Sequence, residues 1–209
     1  GLMYPEATFV DDVLVHKMAD DRYLLVVNAA NRHKDVLYLT DLAEHHDGVE
    51  VVDVSDDYAQ MALQGPLAQE VLQPLTPHDL GAIKYYRFVE DEVAGVPALL
   101  ARTGYTGEDG FEVYVAPADA SAVWRAILAE GRPERVQPAG LGSRDTLRFE
   151  AGMCLYGNDI DDTITPLEAG LGWIVKLGKG DFIGRDVLER QAMRDRVRPR
   201  LTGWLKRHR

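Results

Sequence analysis

An α+β fold with mixed or antiparallel sheets and packed helices is what this sequence predicts, and three observations carry it. Strand-like and helix-like segments follow one another without a regular strand–helix alternation, which argues against a doubly wound parallel sheet. No Pro/Gly/Ser-rich stretch marks a linker, so two closely packed lobes fit better than two separated domains. The chain has 209 residues, 46% of them hydrophobic, enough for one substantial core or two smaller ones. Neither a repeat nor a low-complexity tract interrupts it.

The elements follow from local periodicity. Residues 9–18 and 22–28 read as strands, the first with Val13 and Val15 on one face and Asp12, Leu14 and His16 on the other. Residues 31–46 carry Val36, Leu37, Leu39, Leu42 and Ala43 at helical spacing. Residues 49–54 and 58–63 read as short strands. A helix then opens near Pro66, with Leu67, Val71, Leu72 and Leu75 as its apolar stripe. Residues 97–102 and 111–115 are strands joined by a glycine-rich turn. Residues 119–130 form a helix with Val123, Trp124, Ile127 and Leu128 inward, and 141–151 another, stopped by Gly152. Thr165-Pro-Leu-Glu168 has capping-box spacing. Residues 171–177 read as a strand and 186–193 as a helix.

Composition excludes several classes. The formal net charge of −11 opposes broad nucleic-acid binding, which needs a cationic surface. Basic residues nevertheless outnumber acidic ones over residues 185–209, either as a solvated end or as a docking surface for an acidic partner. No apolar run reaches the roughly 18 residues of a membrane-spanning helix, and residues 1–5 do not resemble a signal peptide. The single cysteine, Cys154, permits no internal disulfide and fits a reducing compartment. It reads as a small core residue, because no histidine or strongly basic setting stands near it to activate the thiol. His45-His46 are adjacent, and His33, His78 and His208 stand alone, so no metal-ligand spacing is present.

Three constellations have chemical potential. In Arg102-Thr-Gly-Tyr-Thr-Gly-Glu-Asp-Gly-Phe-Glu112, Gly104, Gly107 and Gly110 recur three apart. This is either an elaborate hairpin turn or a loop that lets a ligand approach the backbone. It is not a phosphate loop, since no Lys-Ser/Thr follows and no helix begins there. Glu112, in an otherwise apolar strand, suits a planar amidine-like group such as a pterin edge, and Tyr105 offers a ring face or a hydroxyl. In Gln137-Pro-Ala-Gly-Leu-Gly-Ser-Arg-Asp145, Arg144 lies four residues before Arg148 and beside Asp145. That is a surface ion-pair ladder or a fork for a ligand carboxylate or carbonyl. Asp11-Asp12 is the third. Strand alternation sends the two carboxylates to opposite faces, so at most one faces any pocket, and an exposed edge position is the plain alternative. His16 lies roughly 13 Å from Asp12 along a continuous strand at ~3.3 Å per residue, too far for a catalytic pair.

Taken in order, several stretches resemble the T-protein, or aminomethyltransferase, family of the glycine cleavage system. They are Phe9-Val-Asp-Asp-Val-Leu-Val15, Tyr23-Leu-Leu-Val-Val-Asn-Ala-Ala-Asn31, Leu63-Gln-Gly-Pro-Leu-Ala-Gln69, Arg102 to Glu112, Pro138-Ala-Gly-Leu-Gly-Ser-Arg-Asp145, Leu155-Tyr-Gly-Asn-Asp159, Thr165-Pro-Leu-Glu-Ala-Gly-Leu-Gly-Trp173 and Gly180-Asp-Phe-Ile-Gly184. The resemblance implies a folate-binding fold of two interleaved lobes. Residues 1–53 with 158–193 would form one lobe and 54–157 the other, while 194–209 would begin a C-terminal barrel. It further implies that the chain is a piece of a longer protein, lacking the first strands of the N-terminal lobe and that barrel.

The implied reaction belongs to glycine catabolism and one-carbon metabolism. A one-carbon unit passes from the aminomethyl-lipoyl arm of H-protein to tetrahydrofolate, giving 5,10-methylenetetrahydrofolate, ammonia and the reduced lipoyl group. Such an enzyme works in the cytoplasm, or in the mitochondrial matrix of a eukaryote, without nucleic acid, membrane or metal. The family's functional acid maps to Asp12, and its folate-pocket positions to Asn28, Tyr85, Tyr86, Tyr105, Glu112 and Arg144. Asp12 would orient the attacking nitrogen and stabilise positive charge as ammonia leaves, and Glu112 would fix the pterin edge. The sequence departs from the family at Pro5-Glu-Ala-Thr8, where a Gly-Gly turn is usual, and at His16, where a tyrosine is common. Related readings are the folate-dependent domains of demethylases and of dimethylglycine or sarcosine oxidising enzymes. A non-enzymatic folate-binding factor for iron–sulfur maturation is another, but its Lys-Gly-Cys-Tyr-type motif stands here as Lys179-Gly-Asp-Phe182, without the cysteine.

Overall fold

The computed structural model describes residues 1–194. In chain order the elements are β1 (Leu2–Met3), β2 (Phe9–Asp11), β3 (Leu14–Lys17), β4 (Tyr23–Val26), α1 (Arg32–Ala43), β5 (Ala59–Gln64), α2 (Ala68–Leu72), β6 (Phe88–Val93), β7 (Val96–Ala101), β8 (Gly110–Val115), α3 (Ala120–Arg135), α4 (Leu141–Glu150) and α5 (Arg185–Met193). Helices and antiparallel sheets are thus mixed, as an α+β fold requires. The chain divides into two compact units, one of Gly1–Val52 with Cys154–Arg209 and one of Asp53–Met153. The expected start of a barrel at 194–209 lies, from residue 195 onward, outside the described residues, as does most of the basic tail.

In the discontinuous unit, β1 pairs with β2 and β3 with β4, both antiparallel. Its core gathers Phe9, Ile160, Ile164 and Ala169, with Cys154, Tyr156 and Leu171 packed on it. Two devices tie the first strands to the later segment. The Phe9 N–H donates to the Ile164 carbonyl at 3.1 Å. Lys34 Nζ donates to the Val10 carbonyl at 2.5 Å and to the Tyr156 hydroxyl at 2.8 Å. The predicted capping box is present: the Thr165 N–H donates to Glu168 Oε2 at 3.1 Å, and the Glu168 N–H to Thr165 Oγ1 at 3.2 Å. Thr165 is buried, so Thr165→Ala should lower the unfolding free energy of the complete protein by about 1 kcal/mol. Urea denaturation reads this directly, and an unchanged midpoint would show the cap to be idle.

The continuous unit is a four-stranded antiparallel sheet in the order β5-β8-β7-β6. One face is lined by Leu63, Leu100, Phe111, Val113 and Val115, and α2 and α3 cover it with Val71, Leu72, Val123 and Ile127. Because strand side chains alternate, the other face carries Gly110, Glu112 and Tyr114 of β8. Beside Glu112 in register stand only alanines, Ala62 on β5 and Ala101 on β7.

Several expectations need correction. The strand expected over 9–18 is two strands, broken at Asp12 and Val13. Residues 49–54 form no strand, and Val49 and Val52 are exposed. Residues 171–177 form two 3-10 turns, at Gly172–Ile174 and Leu177–Lys179. An apolar run without a partner ladder cannot satisfy its backbone as a strand, and Trp173 stands 69% exposed. Trp124 was expected inward but lies 43% exposed on α3. The helix expected from Pro66 begins only at Ala68 and spans 5 residues, with Leu67 exposed before it. Strand β6 was not foreseen. It pairs with β7 through Ala94 and Gly95, both at positive φ (52° and 77°), the conformation of a type I′ hairpin.

Candidate functional site

Asp12 and Asn28 belong to the discontinuous unit. The other residues predicted for the site, Tyr85, Tyr86, Tyr105, Glu112 and Arg144, belong to the continuous one.

The break after β2 shapes the first group. A continuous strand would send Asp11 and Asp12 to opposite sides, but here one residue reaches both. Asn28 Nδ2 donates to Asp11 Oδ1 at 2.7 Å, to Asp12 Oδ1 at 3.0 Å and to the Asp12 carbonyl at 3.2 Å. Asp11 is fully buried and also accepts the Asn28 N–H at 3.0 Å and Asn31 Nδ2 at 2.7 Å. It is the anchor of the group, and sequence reasoning gave it no role. Asp12 is half-buried, and Asn28 supports its carboxylate at Oδ1. Burial pushes its pKa above the ordinary carboxylate value and the negative Asp11 adds to this, while the Asn28 hydrogen bond opposes both.

In the continuous unit, Glu112 lies on the central strand β8 and is buried, and its Oε2 accepts a hydrogen bond from the Tyr114 hydroxyl at 2.6 Å. Burial, reinforced by the Glu112 charge, raises the Tyr114 phenol far above its usual value, so it stays a donor. Alternation alone would have revealed Tyr114, two positions along the same face. Tyr85 and Tyr86 meet edge to face at 4.4 Å between ring centroids. Burial raises the Tyr85 pKa first, Tyr86 next, with Asp109 and Glu112 adding to the shift, so these groups share one electrostatic neighbourhood. Tyr86 holds φ at 60°, uncommon for a tyrosine. Arg144 is exposed on α4 and places its guanidinium over the Tyr105 ring at 4.5 Å. Arg148 does not extend a ladder with Arg144. It turns back, both Nε and Nη2 donating to Asp145 Oδ1, at 2.8 and 2.7 Å.

The glycine-rich turn is held by residues the sequence did not single out. Arg102 forks onto Asp109, Nε to Oδ1 at 3.0 Å and Nη2 to Oδ2 at 2.6 Å, closing the loop across its base. Its remaining donors reach the Leu80 and Ile83 carbonyls, both at 3.1 Å, and Gln69 Oε1 at 2.9 Å. Gln64 fills the space left by two glycines. Its Nε2 donates to the Thr103 carbonyl at 3.0 Å, and its Oε1 accepts from Thr106 at 3.1 Å. A Cβ on Gly104 would fall 1.7 Å from Gln64 Oε1, and one on Gly110 would fall 2.5 Å from its Nε2. The turn is therefore an elaborate hairpin connection between β7 and β8, with Gln64 in the space over Gly104 and Gly110. Among the described residues no cluster of three or more His, Cys, Asp and Glu is placed to hold a metal ion.

Residues 1–179 match the family model described as the GCVT N-terminal domain. The chain belongs to that family. Curated relatives of this GCVT domain include an aminomethyltransferase of Lysinibacillus sphaericus (strain C3-41), 56% identical over 192 residues, which are 91% of this chain and 52% of the relative. Another is an aminomethyltransferase of Anoxybacillus flavithermus (strain DSM 21510 / WK1), 55% identical over 193 residues and again 52% of the relative. The crystal structure of glycine cleavage system aminomethyltransferase T from Bartonella henselae superposes with a TM-score of 0.78 at 33% identity, covering 91% of this chain and 51% of that one. The GCVT domain chain thus spans about half the length of the curated relatives it matches. None of its described helices is long and apolar enough to cross a membrane.

Proposed function

We propose that this chain is the folate-binding part of an aminomethyltransferase of glycine cleavage, in which Asp12 serves the transfer of a one-carbon unit from the aminomethyl-lipoyl arm of an H-protein to tetrahydrofolate, with release of ammonia. The two compact units are then the two interleaved lobes of the folate-binding region, and the protein works in the cytoplasm. The observation that carries this reading is the family match over residues 1–179.

The geometry supports it at two places. Around Glu112 the register partners on the strand face are Ala62 and Ala101, so nothing larger than a methyl group flanks the carboxylate in register. A carboxylate there can accept paired N–H donors from the edge of a flat heterocycle. Tyr114 holds the carboxylate in place, and the Tyr85–Tyr86 pair and the Arg144–Tyr105 stack add ring faces and a guanidinium. At Asp12, Asn28 orients the carboxylate, and its negative charge stabilises the positive charge that develops as ammonia departs. Tetrahydrofolate, when bound, supplies the nucleophilic nitrogen; the residues named here bind, orient and compensate charge.

Glu112→Gln keeps an acceptor for the Tyr114 hydroxyl but loses the charge. Its affinity for tetrahydrofolate should fall about 10- to 100-fold, the range expected for charge-assisted hydrogen bonds, with turnover at saturation little altered. Calorimetric titration of tetrahydrofolate into the complete protein, followed by turnover with aminomethylated H-protein, tests the assignment. Undiminished affinity in the variant would remove Glu112 from the pocket, and no binding to the unsubstituted protein would end the reading.

A further inference from the structure

Behind Asp12 lies a second carboxyl group that the proposed function does not use. Asp35, in the first turn of α1, is 1% exposed, and neither of its oxygens receives a hydrogen bond from a donor among the described residues. An ionised carboxylate left in that state is strongly disfavoured. Asn31 Nδ2 on Asp11 and Lys34 Nζ on the Val10 carbonyl hold the first turn of α1 against β2, which brings the Asp35 carboxyl up to the buried carboxylate of Asp11. Asp11 already accepts three N–H donors from Asn28 and Asn31, the surroundings of an ionised carboxylate. Two ionised carboxylates in contact repel, whereas one proton between them gives Asp35 a partner and Asp11 a fourth donor.

We propose that Asp35 is a positioning residue that, as a neutral carboxylic acid, donates a hydrogen bond to Asp11, and that this carboxyl pair holds Asn28 against Asp12. The relay runs through one amide: Asn28 Nδ2 stands 2.7 Å from Asp11 Oδ1 and 3.0 Å from Asp12 Oδ1, so displacing Asp11 displaces the donor that orients Asp12. The functional consequence rests on the reading of Asp12 given above; the hydrogen-bonded relay does not.

Asp11 faces Asp35 from β2, with Asp12 just beyond it. Lys34 on α1 carries its ammonium to the Val10 carbonyl and to the Tyr156 hydroxyl, which comes from the later segment. The Gly1 ammonium lies within electrostatic reach of Asp11 and Asp12. Burial, then the Asp11 hydrogen bond and charge, push the Asp35 carboxyl up to about 7, and Lys34 only partly opposes them. The folded state therefore holds this proton more tightly than the unfolded chain. Stability from the pair is full below about pH 4 and is lost progressively as pH rises through about 7.

The test is a carboxyl carbon NMR titration of the complete protein, with the Asp35 signal assigned by its absence in Asp35→Asn. Asp35 should titrate near pH 7, and the side-chain amide protons of Asn28 should shift with the same midpoint. In Asp35→Asn the amide donates to Asp11 at every pH, so the step in the Asn28 signals that shares the Asp35 midpoint should vanish, leaving only the step set by Asp12. Asp35→Leu removes the donor and should lower kcat about tenfold with KM for tetrahydrofolate unchanged, and Asp35→Asn should restore most of that loss. An Asp35 signal that titrates near the ordinary value of about 4, or Asn28 signals indifferent to it, would overturn the relay. Equal rates for the Leu and Asn variants would overturn its link to function. If Asp35 and Asn28 titrate together while Asp12→Asn keeps full turnover, the relay stands and the role of Asp12 falls.

Discussion

Asp12→Asn should slow carbon transfer by about 100- to 1000-fold while leaving tetrahydrofolate affinity within about threefold of the unsubstituted protein, because the substitution removes one preorganised charge and little else. The asparagine oxygen can still accept the Asn28 amide that now bonds Asp12 Oδ1 at 3.0 Å, so the local geometry survives. Ring recognition is assigned to Glu112 and the tyrosines, which the substitution does not touch. The pH profile gives an independent check. The raised pKa of Asp12, caused chiefly by burial, places its protonation above the ordinary carboxylate value of about 4. If the ionised form is required, the rate should fall as pH drops through that raised value, and the Asn variant should have no such acid limb. Measured turnover equal to the unsubstituted protein, or an unchanged acid limb in the variant, would remove Asp12 from the chemistry. A parallel loss of affinity and rate would instead make it a binding residue.

What could be read in the sequence was mostly local. Strand β8 was legible because Gly110 to Val115 is apolar apart from one carboxylate, and that exception drew the eye to Glu112. The Thr165–Glu168 cap was legible because both partners lie within one turn. Long-range pairings were not. The break after Asp11 is invisible in Val13-Leu-Val15, which continues the apolar pattern; what stabilises it is Asn28, 16 residues beyond Asp12, bonding both acids at once. Strand β6 hid behind Glu90, Asp91 and Glu92, charges tolerated at a sheet edge, and behind an Ala-Gly turn where Asn-Gly would have announced a hairpin. The segment 171–177 misled in the opposite sense, since hydrophobicity alone cannot supply the neighbouring strand that a ladder needs.

Arg102 shows most clearly what a sequence conceals, and its replacement carries the largest stability effect expected in the continuous unit. Read along the chain it merely precedes a glycine-rich turn. In the fold its side chain is 18% exposed, and it reaches Asp109, Gln69 and the carbonyls of Leu80 and Ile83. Arg102→Met keeps much of the stem's packing and removes every one of these bonds. Breaking a buried pair by removing one partner costs about 3–5 kcal/mol. Asp109 is 42% exposed and retains some hydration, so the figure should be reduced, while two carbonyls also lose their donor. A loss of about 2–4 kcal/mol in unfolding free energy is expected. The Arg102 hydrogen bonds hold the Asp109 pKa below its ordinary value. That contribution is therefore present above about pH 4 and fades as pH falls through the depressed value. The stability difference between Arg102→Met and the unsubstituted protein should accordingly narrow in acid. Denaturant titrations at neutral and acid pH measure both quantities. A difference that is negligible, or that does not shrink in acid, would mean that the turn is held by Gln64 and its glycine contacts, and that Arg102 only decorates the base of the loop.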